Sequence, residues 1–159
     1  MTVESGYTVF ETVAGFAAIG WNMKGIHSFR LPAGTAREAE QSLLRRLPGT
    51  TVAAPRLGKI LRSATTVPPA PVQAVIDDAR HYFAGERVDF AGVPVDLGAQ
   101  EPFFERVYDA VRQLGWGETA TYGAIAKMLD AGPEFARDVG QAMAANPVPL
   151  IIPCHRVTA

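Results

Sequence analysis

The chain has 159 residues, 48% of them apolar and 19% charged, with a formal net charge of −1 and a single cysteine. That size and composition fit one globular domain or two small ones, and the near-zero charge excludes the broad basic field that drives non-specific phosphate binding. No apolar run approaches the ~18 residues of a membrane helix, Met1 to Ser5 lacks a basic-then-apolar secretory signature, and one cysteine allows neither an internal disulfide nor a cysteine-rich metal site.

Tyr7 to Val13, Phe16 to Trp21 and Ile26 to Leu31 are β-prone runs broken at Ala14-Gly15 and at Asn22 to Gly25, the pattern of an antiparallel meander. Pro32-Ala33-Gly34 ends it. Thr35 is placed to cap a helix running to Leu47, with Ala36, Ala39, Leu43, Leu44 and Leu47 as its inward stripe, and Pro48-Gly49 stops that helix. Between Arg45 and Arg62 stand the bases Arg45, Arg46, Arg56, Lys59 and Arg62 with no acid among them, read as solvated surface rather than phosphate contact. A proline-rich stretch from Thr65 to Pro71 precedes a helix from Val72 to Ala84, with Val75, Ile76, Ala79, Tyr82 and Phe83 at helical spacing and Gly85 as its stop. Val88 to Leu97 reads as an exposed edge or a linker. His27 and His81 have no motif beside them and are expected at the surface or as caps.

From Pro102 onward the period is helical. Phe103, Phe104, Val107, Tyr108, Val111 and Leu114 form a stripe expected in the core, ended by Gly115-Trp116-Gly117. A short helix then starts from a cap at Thr119 or Thr121, with Ile125, Met128 and Leu129 inward. Ala131-Gly132-Pro133 leads into another, with Phe135, Ala136, Val139, Gly140 and Met143 inward, and two helices joined so tightly resemble a helix-turn-helix. Its second helix is rich in small residues, which permit close approach to a groove or to a packed neighbour. In the last stretch, Asn146 to Val157, prolines flank an apolar run and bar a regular helix, and the lone Cys154 is followed by His155. By itself a free cysteine is usually a small buried hydrophobe.

Pro153-Cys154-His155-Arg156-Val157, preceded by Asn146-Pro147-Val148-Pro149, resembles the active-site motif of the O6-alkylguanine-DNA alkyltransferases, the methylated-DNA–protein-cysteine methyltransferases. Two further blocks match in the family's order: Gly117-Glu118 with Thr121-Tyr122-Gly123, and Arg137 with Val139, Gly140, Ala142 and Met143. The resemblance implies an α+β fold, with a small ribonuclease-H-like α/β domain over residues 1–97 and a helical, winged-helix or helix-turn-helix alkyltransferase domain over residues 98–159. It implies single-turnover DNA repair, in which O6-alkylguanine is flipped out of the duplex and passes its alkyl group to Cys154. Because thiolate is the reactive form and an ordinary thiol of pKa ~8.5 is mostly protonated at neutral pH, a base is needed, and His155 is the one at hand. Asn146 would brace the active-site turn through backbone bonds.

By the same resemblance Tyr122, Arg137 and Gly140 would meet DNA, Arg137 filling the gap left by the base and Tyr122 rotating the phosphate. Met143, Pro149 and Val157 would line the substrate pocket. The partner would be double-stranded DNA holding O6-alkylguanine, bound by a monomer without metal or cofactor, in the cytoplasm or, in a eukaryote, the nucleus. Relatives continue past this motif into a glycine-rich loop and a helix whose glutamate orients the histidine. The chain stops at Ala159, so a truncated C-terminal end is expected. Two other readings stay open: an alkyltransferase-like lesion binder or inactive fragment, and a cysteine hydrolase or redox enzyme, which a lone cysteine disfavours.

Overall fold

A computed structural model describes residues 5–46 and 67–159. It divides into two compact units, the first comprising the described residues up to Val88 together with Val93–Asp96, the second Asp89–Gly92 and Leu97–Ala159. The architecture is mixed α and β, with a small antiparallel sheet.

In the first unit β1 (Gly6–Thr12), β2 (Gly15–Asn22) and β3 (Gly25–Ala33) pair antiparallel in that order. The reversals fall on Gly15 and Gly25, whose φ values of 129° and 146° suit glycine alone. At Gly25 a side chain would also run into the Pro94 backbone. The reason is a short parallel bridge: Ile26 N–H donates to Pro94 O at 3.0 Å, and Asp96 N–H donates to Ile26 O at 2.8 Å. Val93–Asp96 therefore covers the β3 edge instead of forming a free edge or linker.

Strand alternation gives the sheet two apolar faces. On one, Tyr7 and Ala18 form a cluster with Ala39 and Leu43 of α1 (Ala36–Arg45). Thr35 caps α1, its Oγ1 accepting from Glu38 N–H at 3.1 Å. Ala36 is exposed, because the inward stripe begins one turn later. Leu47, Arg56, Lys59 and Arg62 lie outside the described residues. On the other face Phe10 meets Phe29 edge to face, with centroids 6.1 Å apart. Along β1 lies α2 (Ala70–Phe83), which starts earlier than its apolar spacing suggests because Pro71 is at home in a first turn. It buries Val72, Val75, Ile76 and Ala79, and its Arg80 donates to Glu11 O at 3.0 Å while lying over the Phe10 ring.

His27 is half-buried on β3, bonded to Ser28 Oγ at 2.8 Å, and not a surface residue. Burial holds its pKa below the ordinary 6.5 against the pull of Asp96. His81 is exposed and pairs with Glu86, which raises its pKa.

The second unit contains α3 (Pro102–Arg112), α4 (Tyr122–Met128) and α5 (Ala136–Ala144), with β4 (Ala120–Thr121) and β5 (Val157–Thr158) paired parallel. Both α4 and α5 pack on α3, and Tyr108 seals one contact by donating to Ala142 O at 2.8 Å. Arg112 donates to the Phe90 and Ala91 carbonyls at 3.1 and 3.0 Å, tying Asp89–Gly92 to this unit. Between α4 and α5 the chain reverses at Asp130 and enters a 3-10 turn, Pro133–Phe135. Met128 is 57% exposed and Phe135 37%, against the inward positions their spacing suggests. The seven-residue α4 buries only Ile125 and Ala126 and is too short for a second inward turn. No helix among the described residues is long and apolar enough to cross a membrane.

Candidate functional site

The site begins where α5 ends. Asn146 is 3% exposed; its Nδ2 donates to Ile152 O at 3.0 Å and its Oδ1 accepts from Val148 N–H at 3.0 Å. Ile152 N–H donates back to Val148 O at 3.0 Å, so the segment folds on itself without a helix that its prolines would not allow. Leu150 has φ 79°, a left-handed conformation costing roughly 1–2 kcal/mol for a residue with a Cβ. Burial of its side chain offsets that cost.

Cys154–Arg156 then forms a 3-10 turn, with Cys154 N–H on Ile152 O at 2.7 Å and Arg156 N–H on Pro153 O at 2.9 Å. Successive side chains therefore fan around this tight turn. The Cys154 thiol is free and half-buried. His155 is exposed by surface area, yet the protein around part of its ring, and after it the Arg156 charge, hold its pKa below 6.5. The imidazole is thus neutral near pH 7 and able to accept a proton.

Beyond the turn, Val157 pairs with Ala120 and Thr158 with Thr121. Thr121 also caps α4, its Oγ1 accepting from Ala124 N–H at 3.0 Å, and Tyr122 is the next residue. The strand pair therefore joins the far side of the cysteine turn to the start of α4. Tyr122 is half-buried, with its ring on Gly140: a Cβ there would stand 3.2 Å from Tyr122 Cε2 and 3.4 Å from Cδ2. A glycine inside a helix costs roughly 0.5–1 kcal/mol relative to alanine, and the tyrosine ring supplies the reason for it here.

Arg137 is exposed in the first turn of α5, three residues before Gly140 and so on the same side of the helix. Met143, Pro149 and Val157 are buried. Backbone pairing and the α4–α5 contact thus bring Cys154, His155 and Val157 toward Tyr122 and Gly140, while Asn146 lies within the fold of the preceding segment. Thr121 and Arg156 are the members that sequence reading leaves without a site role. For Thr121 the signal is its capping position; for Arg156 it is an arginine set between a reactive pair and a buried valine. Among the described residues no group of three His, Cys, Asp or Glu side chains could hold a metal ion.

Residues 102–159 match the family model described as 6-O-methylguanine DNA methyltransferase, DNA binding domain. The methylated-DNA–protein-cysteine methyltransferase of Metallosphaera sedula is 46% identical over 79 residues, which cover 50% of this chain and 48% of that protein. A DNA base-flipping protein of Thermus thermophilus is 43% identical over 76 residues, 48% of this chain and 50% of that protein. The chain thus spans about half the length of the curated relatives it matches. Among solved structures, Mycobacterium tuberculosis OGT in complex with DNA aligns over 97% of this chain and 78% of that one, at 28% identity and a TM-score of 0.67.

Proposed function

We propose that the chain, whose residues 102–159 match the family model described as 6-O-methylguanine DNA methyltransferase, DNA binding domain, acts as an O6-alkylguanine-DNA alkyltransferase, clearing alkyl groups from O6 of guanine in double-stranded DNA by taking them onto Cys154, once per molecule. The observation that carries the reading is the β4–β5 pair, which seats the cysteine turn beside the first residue of α4. A stacked base offers no path to its O6 substituent, so the base is flipped out. Arg137, exposed on α5, fills the gap; Tyr122 turns the phosphate; Gly140 lets the helix lie close to the groove. The base then rests among Met143, Pro149 and Val157.

His155, held neutral, draws off the thiol proton through a water, and sulfur bonds to the alkyl carbon as the carbon–O6 bond breaks in line. The electron pair stays on O6 and the proton ends on guanine. Asn146 keeps the turn in place. The product thioether has no electrophilic acyl carbon for water to attack, so the protein is consumed. With a net charge of −1, affinity for undamaged duplex is weak and little helped by low salt. In this reading residues 1–97 are the family's ribonuclease-H-like domain and residues 98–159 its winged-helix alkyltransferase domain, working as a monomer on cytoplasmic or nuclear DNA.

The similarity to a protein named for base flipping favours one second reading, lesion binding without transfer. Intact mass after incubation with an O6-methylguanine oligonucleotide separates them. A gain of one methylene on Cys154 is expected; binding with no mass change selects the lesion binder, and neither outcome defeats both.

A further inference from the structure

The turn that carries Cys154 is tied upstream by Asn146, through Ile152 O, and downstream by the β4–β5 pair. A third tie comes from inside the turn: Arg156 Nη1 donates to Leu114 O at 2.7 Å. Leu114 follows the end of α3, where helix carbonyls lack intrahelical donors and partial negative charge collects. Its surroundings are set, since Leu114 N–H is held by Val111 O at 3.0 Å and Glu118 N–H by Gly115 O at 3.1 Å. A half-buried guanidinium at this carbonyl, just past the helix end, gains a charge-assisted bond and lies near the negative end of the helix dipole.

We propose that Arg156 is the positioning residue for Cys154, fixing the turn that bears the thiol by anchoring it to the end of α3. The proposal rests on the reading of Cys154 as the nucleophile. The other use of an arginine beside a DNA site is a phosphate contact, but that calls for an outward side chain, and here one Nη is spent on Leu114 O. Because a single N–H carries the tie, lysine can replace arginine; a bidentate grip would not allow that.

Two measurements on Arg156→Gln and Arg156→Lys test it. In amide exchange without DNA, the peptide over residues 152–157 of Arg156→Gln should exchange about tenfold faster than in the parent chain, with α4 and α5 unchanged and most protection regained in Arg156→Lys. Equal exchange in parent and Arg156→Gln, or acceleration spread evenly over residues 98–159, overturns the anchor. With the O6-methylguanine oligonucleotide at saturation, Arg156→Gln should gain its methylene about tenfold more slowly while DNA affinity stays within about twofold, and Arg156→Lys should recover the rate. Affinity that falls along with its salt dependence makes Arg156 a phosphate ligand instead. A parent chain that takes up no methyl group refutes the proposed function, whereas the exchange comparison still decides the anchor.

Discussion

Strand β2 and the segment from Asn146 to Val157 are both apolar and largely buried, yet one is held by continuous backbone ladders and the other by short local turns braced by two side chains. Along β2 the antiparallel ladders to β1 and β3 satisfy the main chain, leaving Ala17, Ala18 and Ile19 free to fill the two faces. Along the site segment prolines confine the backbone to short turns until Val157 pairs with Ala120. Asn146 serves Val148 N–H and Ile152 O, and Arg156 serves Leu114 O. A sheet spreads its support over many equivalent bonds, while the site has only a few turn bonds and two bracing side chains, either of which a single substitution removes. Changes in the first unit should therefore alter stability, and changes in the second should alter position.

The sharpest contrast is Cys154→Ala, which should abolish the mass gain completely while unfolding free energy stays within about 1 kcal/mol, since the thiol is only half-buried. Leu43→Ala, in the first unit's core, should do the opposite: a loss of roughly 2–5 kcal/mol in chemical denaturation, with methyl uptake per folded molecule unchanged. Asn146→Ala should break that separation. It strands the buried Val148 N–H and leaves Ile152 O with the Cys154 N–H alone, costing roughly 1–3 kcal/mol, and should also slow methyl uptake at temperatures where the chain stays folded. Uptake at the parent rate would show that the turn does not need its brace. Thr121→Ala should cost about 1 kcal/mol through loss of the α4 cap, visible as a lower melting temperature and weaker DNA binding.

The smallest effect is in pH. Burial first, and Arg156 second, lower the His155 pKa, so the acid limb of the methyl-uptake rate should have its midpoint below 6.5. His27 is also lowered by burial, so its native form is neutral. Its contribution to stability is complete above 6.5 and is lost as pH falls below that value, and His27→Gln should flatten that part of the melting curve.

Where a local rule governs, the sequence is readable. The meander, Thr35 as a cap and the stop at Gly85 follow from residue pattern alone, as does the proline-flanked run before Cys154. What pattern misses are features made by a distant partner. A one-residue bridge to Ile26 takes Val95 out of the linker class, and two-residue strands such as β4 and β5 have no periodicity to detect. Met128 carries the right spacing for an inward face, but α4 ends before that face has anything to cover. The site motif shows Cys154 and His155 plainly and is silent about Arg156, because its partner is a carbonyl, which every residue has.

Gly140 under the Tyr122 ring has a spectroscopic consequence. One of its two α-protons points where a Cβ would stand, a few ångströms from ring carbons, so aromatic ring current displaces its resonance from that of an ordinary helical glycine. Under the proposed function, in which Tyr122 turns a phosphate, that displacement should vanish on adding duplex. The Gly140 signal would then report engagement with DNA without any attached label.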